Sequence, residues 1–117
     1  MSPNLSGEQY AALLKTFAGV GVRAVIATNT VPLSAPDAST AGVGGGRLHP
    51  AALEAVRHLT STQKQRGYPV DVIACGGVLD GVTLRHFARM GVRAYQYWSA
   101  LIYRGPLAPA LILKESR

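Results

Sequence analysis

Apolar positions in the first twenty residues recur at helical spacing: Tyr10, Leu13, Leu14 and Phe17 fall on one face behind the polar start Ser6-Gly7-Glu8-Gln9. Ser6 with Gln9 three residues on is a capping-box pattern, in which each side chain satisfies a free backbone N–H of the other. A helix is therefore expected to about Ala18, stopped by Gly19 and Gly21. The period then changes. Val22-Arg23-Ala24-Val25-Ile26-Ala27 reads as a strand, ending in the polar triplet Thr28-Asn29-Thr30. Residues 31–49 hold no sustained period and are expected to form a long irregular loop. Its first half is linker-like in Pro, Ala and Ser, and its second half is a glycine cluster at Gly42 and Gly44–Gly46. Helical spacing returns at Pro50, with Ala52, Leu53, Val56 and Leu59 on one face, and runs to about Gln65 before Gly67.

The stretch Val70-Asp71-Val72-Ile73-Ala74-Cys75-Gly76-Gly77-Val78 is a largely continuous apolar run closed by a glycine pair, the pattern of a strand buried on both faces of a parallel sheet. Asp80 then caps a helix carrying Val82, Leu84, Phe87, Ala88 and Met90, closed by Gly91. A third β-prone run, Ala94–Trp98, follows, and Leu107–Lys114 is expected as a terminal helix. Helices and strands alternate strictly. That order favours a parallel sheet with right-handed crossovers.

Length changes the picture most. The 117 residues make one domain at most, under half of the roughly 250 that a complete (β/α)8 barrel needs. Hydrophobic content of 48% and 13 glycines describe a folded α/β chain rather than a disordered one. No apolar run approaches a membrane span, and Met1-Ser2-Pro3-Asn4 lacks the features of a signal peptide, so the expected location is the cytoplasm. A net charge of +6 raises nucleic acid as a partner, but the arginines and lysines are scattered, the pattern of a solvated surface, so no nucleic-acid partner is expected. Cys75 is the only cysteine, and His49, His58 and His86 stand at unrelated positions, so neither a disulfide nor a metal-ligand spacing is present. Cys75 itself reads as a buried, inert thiol.

Two glycines at the end of a buried strand let backbone N–H groups approach an anion without Cβ interference. Gly76-Gly77 is one such place, and about 20 residues later the Trp98-Ser99 strand end is a second. Late strands of a (β/α)8 barrel place their carboxyl ends side by side and commonly share one phosphate. The glycine cluster before Pro50 suits the same ligand, and Thr28-Asn29-Thr30 offers amide and hydroxyl groups to a planar polar molecule.

Taken in order, these pieces resemble the carboxyl-terminal portion of dihydroorotate dehydrogenase. Ser2-Pro3-Asn4-Leu5-Ser6 resembles the segment after that family's fifth strand, Thr28-Asn29-Thr30 its Thr-Asn-Thr, and Gly42-Val43-Gly44-Gly45 its glycine turn. Ala74-Cys75-Gly76-Gly77-Val78 resembles its Gly-x-Gly-Gly-Ile, the spacing from Val78 to Ser99 agrees without a gap, and Tyr103-Arg104-Gly105-Pro106 resembles its closing Tyr-x-Gly-Pro. The resemblance implies the carboxyl-terminal part of a (β/α)8 TIM barrel, about three strands with flanking helices, holding FMN at its mouth and oxidising dihydroorotate to orotate in pyrimidine biosynthesis. Carried over by position, Thr28 would touch the flavin, and Asn29 and Thr30 would hold the pyrimidine. Gly45, Gly77 and the Trp98-Ser99 pair would bind the phosphate through backbone N–H groups, with Gly76 allowing the close turn. Trp98 stands where the family has tyrosine or a smaller residue, so its contact is expected through the backbone.

The family's catalytic base, its early substrate asparagines and a flavin-contacting lysine have no counterpart in these residues, and no residue of the chain is assigned as catalytic. Three strands cannot close a barrel. The expectation is an incomplete barrel that exposes two sheet edges and an apolar helix-facing surface, associates with the missing half or with itself, and is inactive alone. The electron acceptor is left open among quinone, fumarate and nicotinamide. Two other readings stay open at this stage: another FMN- or phosphate-binding barrel oxidoreductase, and a non-catalytic basic interaction remnant.

Overall fold

The computed structural model describes residues 1–34 and 40–117. Helix α1 spans Gly7–Gly19, and both halves of its capping box are made: Gln9 N–H donates to Ser6 Oγ at 3.2 Å and Ser6 N–H to Gln9 Oε1 at 2.8 Å. Strand β1 is Ala24–Ala27, and strands β2 (Val31–Ser34) and β3 (Thr40–Val43) form an antiparallel hairpin. A 3-10 turn at Gly45–Leu48 leads into α2 (His49–Arg66), with Pro50 in its first turn and Gly67 as a left-handed cap at φ 65°. Strand β4 is Asp71–Cys75, and α3 is Gly81–Ala88, capped by Asp80 with Thr83. After β5 (Ala94–Gln96) come a short helix α4 (Ser99–Arg104) and the terminal α5 (Ala108–Glu115).

The loop expected over residues 31–49 is therefore corrected. Alternating Val31 and Leu33 pair with Val43 and Ala41, so period-2 character was present in two four-residue pieces too short to stand out. Pro32 is tolerated because a two-stranded ribbon has only edge strands, where a missing N–H need cost no ladder bond. The linker-like Ala35–Ser39 lie outside the described residues. Helix α4 is likewise an addition to the expected alternation.

The main sheet is three-stranded and parallel in the order β1-β4-β5. Val25 pairs with Val72 and Ala27 with Ala74, and these four are buried. Their face is covered by α1, α2 and α3, with Tyr10, Leu14, Val56, Leu59 and Phe87 at 1% exposure or less. Truncating Phe87 or Leu59 there would cost about 2–5 kcal/mol. Pairing across the opposite face aligns Ile26, Ile73 and Ala94, and Ile26 is 45% exposed. Two expectations change as a result. The strands are buried on one face rather than both, and the uncovered surface is the face away from the helices, because the chain's own helices cover the other. The slab-like extents of 44 × 39 × 20 Å and a radius of gyration of 14.8 Å, against about 13 Å for a compact chain of this size, follow from that two-layer arrangement. At the outer edge of β1, the Met1 amino group donates to Ile26 O at 2.8 Å and Asn29 N–H to Met1 O at 2.7 Å. No helix among the described residues is long and apolar enough to cross a membrane.

The carboxyl-terminal helices are tied to α3 by one acid. Glu115 accepts from Gly81 N–H at 3.0 Å and from both arms of the Arg104 guanidinium, which also donates to Leu79 O at 3.1 Å. A Cβ on Gly81 would collide with the Glu115 backbone, so a side chain there is incompatible with this docking. Hydrogen bonding from Arg104 first, and from Gly81 N–H second, holds the Glu115 carboxyl at about 2 against an ordinary 4.5. A depressed folded pKa contributes stability above pH 4.5 that is lost as pH falls toward 2. Glu115→Gln is expected to lower the thermal midpoint at neutral pH, with the gap to the native chain closing between pH 4.5 and 2 in melts followed by circular dichroism.

Candidate functional site

The polypeptide leaves β4 through Gly76 and Gly77, at φ 127° and 71°, both in the left-handed region that side chains avoid. The turn is also pressed from behind. A Cβ on Gly76 would lie 2.6 Å from Ala52 Cβ, and one on Gly77 would lie 2.6 Å from His49 Cβ and 2.8 Å from Gly45 O. Gly45 in turn has φ 63°, and a Cβ on it would lie 3.1 Å from Ser99 Oγ. The three strand-end loops thus touch one another in series: Gly77 against Gly45, Gly45 against Ser99. Among the described residues, the N–H groups of Gly45, Gly77 and Ser99 donate to no protein acceptor.

These loops enclose a cleft of about 190 Å³, and all eight residues singled out from the sequence line it: Thr28, Asn29, Thr30, Gly45, Gly76, Gly77, Trp98 and Ser99. A second cleft of about 360 Å³ adjoins it over the open sheet face, lined by Ile26 and Gln96 and sharing Thr28, Asn29, Cys75, Tyr97 and Trp98 with the first. Neither lining contains a charged side chain. Thr28 is buried, its N–H donating to Cys75 O at 2.5 Å, which extends the β1–β4 ladder to the mouth. Asn29 and Thr30 are exposed, with Asn29 Oδ1 accepting from Thr30 N–H at 2.8 Å. The Thr30 side chain packs on Gly42, so the β2–β3 hairpin is anchored beside the opening. Trp98 stands at the rim with 72% of its surface exposed. Cys75 is half-buried rather than buried, and burial pushes its thiol pKa up, which keeps it neutral.

Sequence spacing missed the histidines. His49 and His86, 37 positions apart, meet behind the glycine turn: His49 Nε2 lies 3.0 Å from His86 Nδ1, and His49 Nδ1 lies 3.2 Å from Gly76 O. The His49 ring also meets Phe87 edge-on at 5.2 Å. Burial lowers the His49 pKa first of all; the Gly76 carbonyl raises it, nearby His86 lowers it, and Asp80 raises it. No periodicity links a residue opening α2 to one inside α3, so the pair is visible only in three dimensions. Among the described residues, no three His, Cys, Asp or Glu side chains gather as a metal site would require.

Parallel strands whose carboxyl ends open onto one glycine-lined cleft, with helices covering the opposite side of the sheet, define a segment of a (β/α)8 barrel. The chain belongs to the dihydroorotate dehydrogenase family, whose model matches residues 1–116. It is 34% identical over 112 residues to dihydroorotate dehydrogenase (quinone) of Bordetella avium, covering 91% of this chain and 31% of that relative. It is 35% identical over 123 residues to the protein of the same description from Delftia acidovorans, covering 100% of this chain and 34% of the relative. The chain therefore spans about a third of the length of these curated relatives. The crystal structure of DHODH in complex with ferulenol from Eimeria tenella is similar over 98% of this chain and 31% of that one, with a TM-score of 0.83 at 23% identity. That likeness shows the fold.

Gly77→Ala is expected to destabilise the chain by about 1–3 kcal/mol, since the methyl group meets His49 and Gly45 at a backbone angle that alanine resists. The shift of the urea midpoint measures it. A change within experimental error would show that the turn can relax.

Proposed function

We propose that this chain is the FMN-binding, carboxyl-terminal portion of a dihydroorotate dehydrogenase, an oxidoreductase converting dihydroorotate to orotate in de novo UMP synthesis. The observation that carries the reading is that Gly45, Gly77 and Ser99, whose N–H groups meet no protein acceptor among the described residues, line one cleft in a chain of this family. A phosphomonoester of charge about −2 needs several donors and little bulk around them. Glycines that admit no Cβ supply both conditions, and the apolar cleft next door, floored by Ile26 and Cys75, suits a flat aromatic ring system.

In this reading Gly45, Gly77 and the Trp98-Ser99 backbone hold the phosphate, and Gly76 permits the close turn. Thr28, fixed by the ladder to Cys75 O, lies against the flavin ring. Asn29 and Thr30, at the exposed mouth, orient the pyrimidine by hydrogen bonds from their amide and hydroxyl groups. When bound, FMN supplies the electron acceptor for the two-electron oxidation. The proton acceptor for the substrate's C5 hydrogen comes from barrel segments outside these 117 residues, which are also one candidate cover for the open sheet face. A second copy is the other candidate for that cover. The names of the curated relatives support a quinone as the final acceptor for the whole protein. The proposed location is the cytoplasm.

The test is a titration of FMN, with riboflavin as comparator, followed by quenching of flavin fluorescence. FMN is expected to bind at least about tenfold more tightly, since the phosphate makes several charge-assisted bonds. The same preparation is expected to show no dihydroorotate-dependent reduction of a quinone analogue. Equal affinity for the two flavins, or salt-dependent binding of nucleic acid with no flavin affinity, would overturn the assignment. Turnover by the isolated chain would overturn the placement of the base outside it.

A further inference from the structure

We propose that the His49–His86 pair is the positioning device of the phosphate turn, aiming the Gly77 N–H into the cleft by holding the Gly76 carbonyl away from it. The inference rests on the phosphate-site reading above. A trans peptide is planar, with its C=O and N–H pointing in opposite directions, and the Gly76–Gly77 bond is trans. Gly76 O faces His49 Nδ1 at 3.2 Å, on the side of α2, and His49 does not line the cleft that Gly77 lines. The amide of the same peptide unit is therefore turned toward the cleft, where no protein acceptor among the described residues takes it.

Gly76 O can only accept, so His49 Nδ1 carries the hydrogen. In the neutral pair His49 Nε2 then accepts from His86 Nδ1–H across 3.0 Å, and this contact selects the useful tautomer. One added proton leaves the chain of bonds intact, with His49 donating at both nitrogens and His86 Nδ1 accepting. It also places a positive charge behind the phosphate cradle. A second proton sets two N–H groups against each other and breaks the pair. The groups facing His49 are His86 from α3 and Asp80 from its cap, while the first turn of its own helix carries no acid.

Three substitutions in the 117-residue chain test this. His49→Asn keeps a donor near the Nδ1 position and does not titrate. His49→Leu keeps bulk without a donor, and His86→Phe removes the tautomer-setting partner. At pH 7.5, FMN affinity should stay within about threefold of native in His49→Asn and fall about tenfold in His49→Leu. Riboflavin affinity should change in neither. The ligand-free readout is the Gly77 amide in 1H–15N spectra. It should move with pH across the histidine range in the native chain and be flat in His49→Asn. In His86→Phe it should still move with pH, following His49 alone. Native FMN affinity in His49→Leu, or a Gly77 amide indifferent to pH in the native chain, would overturn the positioning role. If the native chain binds no FMN, the phosphate reading fails alone, because the Gly77 titration still decides whether the histidines control the turn.

Discussion

The contact between the Gly76-Gly77 turn and the first turn of α2 governs the architecture of this molecule. Leu48, His49 and Ala52 press on the turn from the helix side, and Gly45 O presses on it from the neighbouring loop, leaving no volume for a side chain at either glycine. Close approach here does two things at once. It lets α2 lie on β4 and β1 with Ala52, Val56 and Leu59 fully buried, and it leaves the turn itself lining the cleft as bare backbone. Packing of the core and the bare backbone lining of the cleft are consequences of the same missing Cβ atoms.

Parallel pairing carries the second constraint. Because β1, β4 and β5 run in one direction, their carboxyl ends, each with its own polar or glycine-rich exit, arrive on the same side of the sheet. The loops at residues 45, 77 and 99 therefore become neighbours without any designed contact between distant segments beyond the ladder itself. The Arg104–Glu115–Gly81 clamp closes the arrangement by docking α5 and α4 against the start of α3, which keeps Ser99 within reach of Gly45. One face of the sheet is finished by helices. The other, with Ile26, Ile73 and Ala94 in register, is left open by the helices.

Much of this was legible along the chain because the signals were local. The Ser6/Gln9 box, Pro50 in the first turn of α2, the left-handed cap at Gly67 and the Asp80 cap are short-range steric and hydrogen-bonding rules, and each element begins or ends within a residue or two of where those rules put it. The β2–β3 hairpin was not legible, since four-residue strands give too few alternations to separate from a loop. The burial of only one sheet face was hidden too. An apolar run such as Val72-Ile73-Ala74 reads the same whether its second face meets helices, other strands or nothing described here.

The amino-acid sequence by itself determined which backbone positions are bare and which helices can cap themselves, because φ preference and side-chain reach belong to single residues and their near neighbours. Only the tertiary structure decided that Thr28, Gly45, Gly77 and Ser99 share one cleft, and that His49 and His86, with no sequence relation to each other, meet beneath it. The physical reason is that strand register and helix docking convert separations of 20 to 70 residues into a few ångströms, and register is a property of the assembled sheet rather than of any one strand.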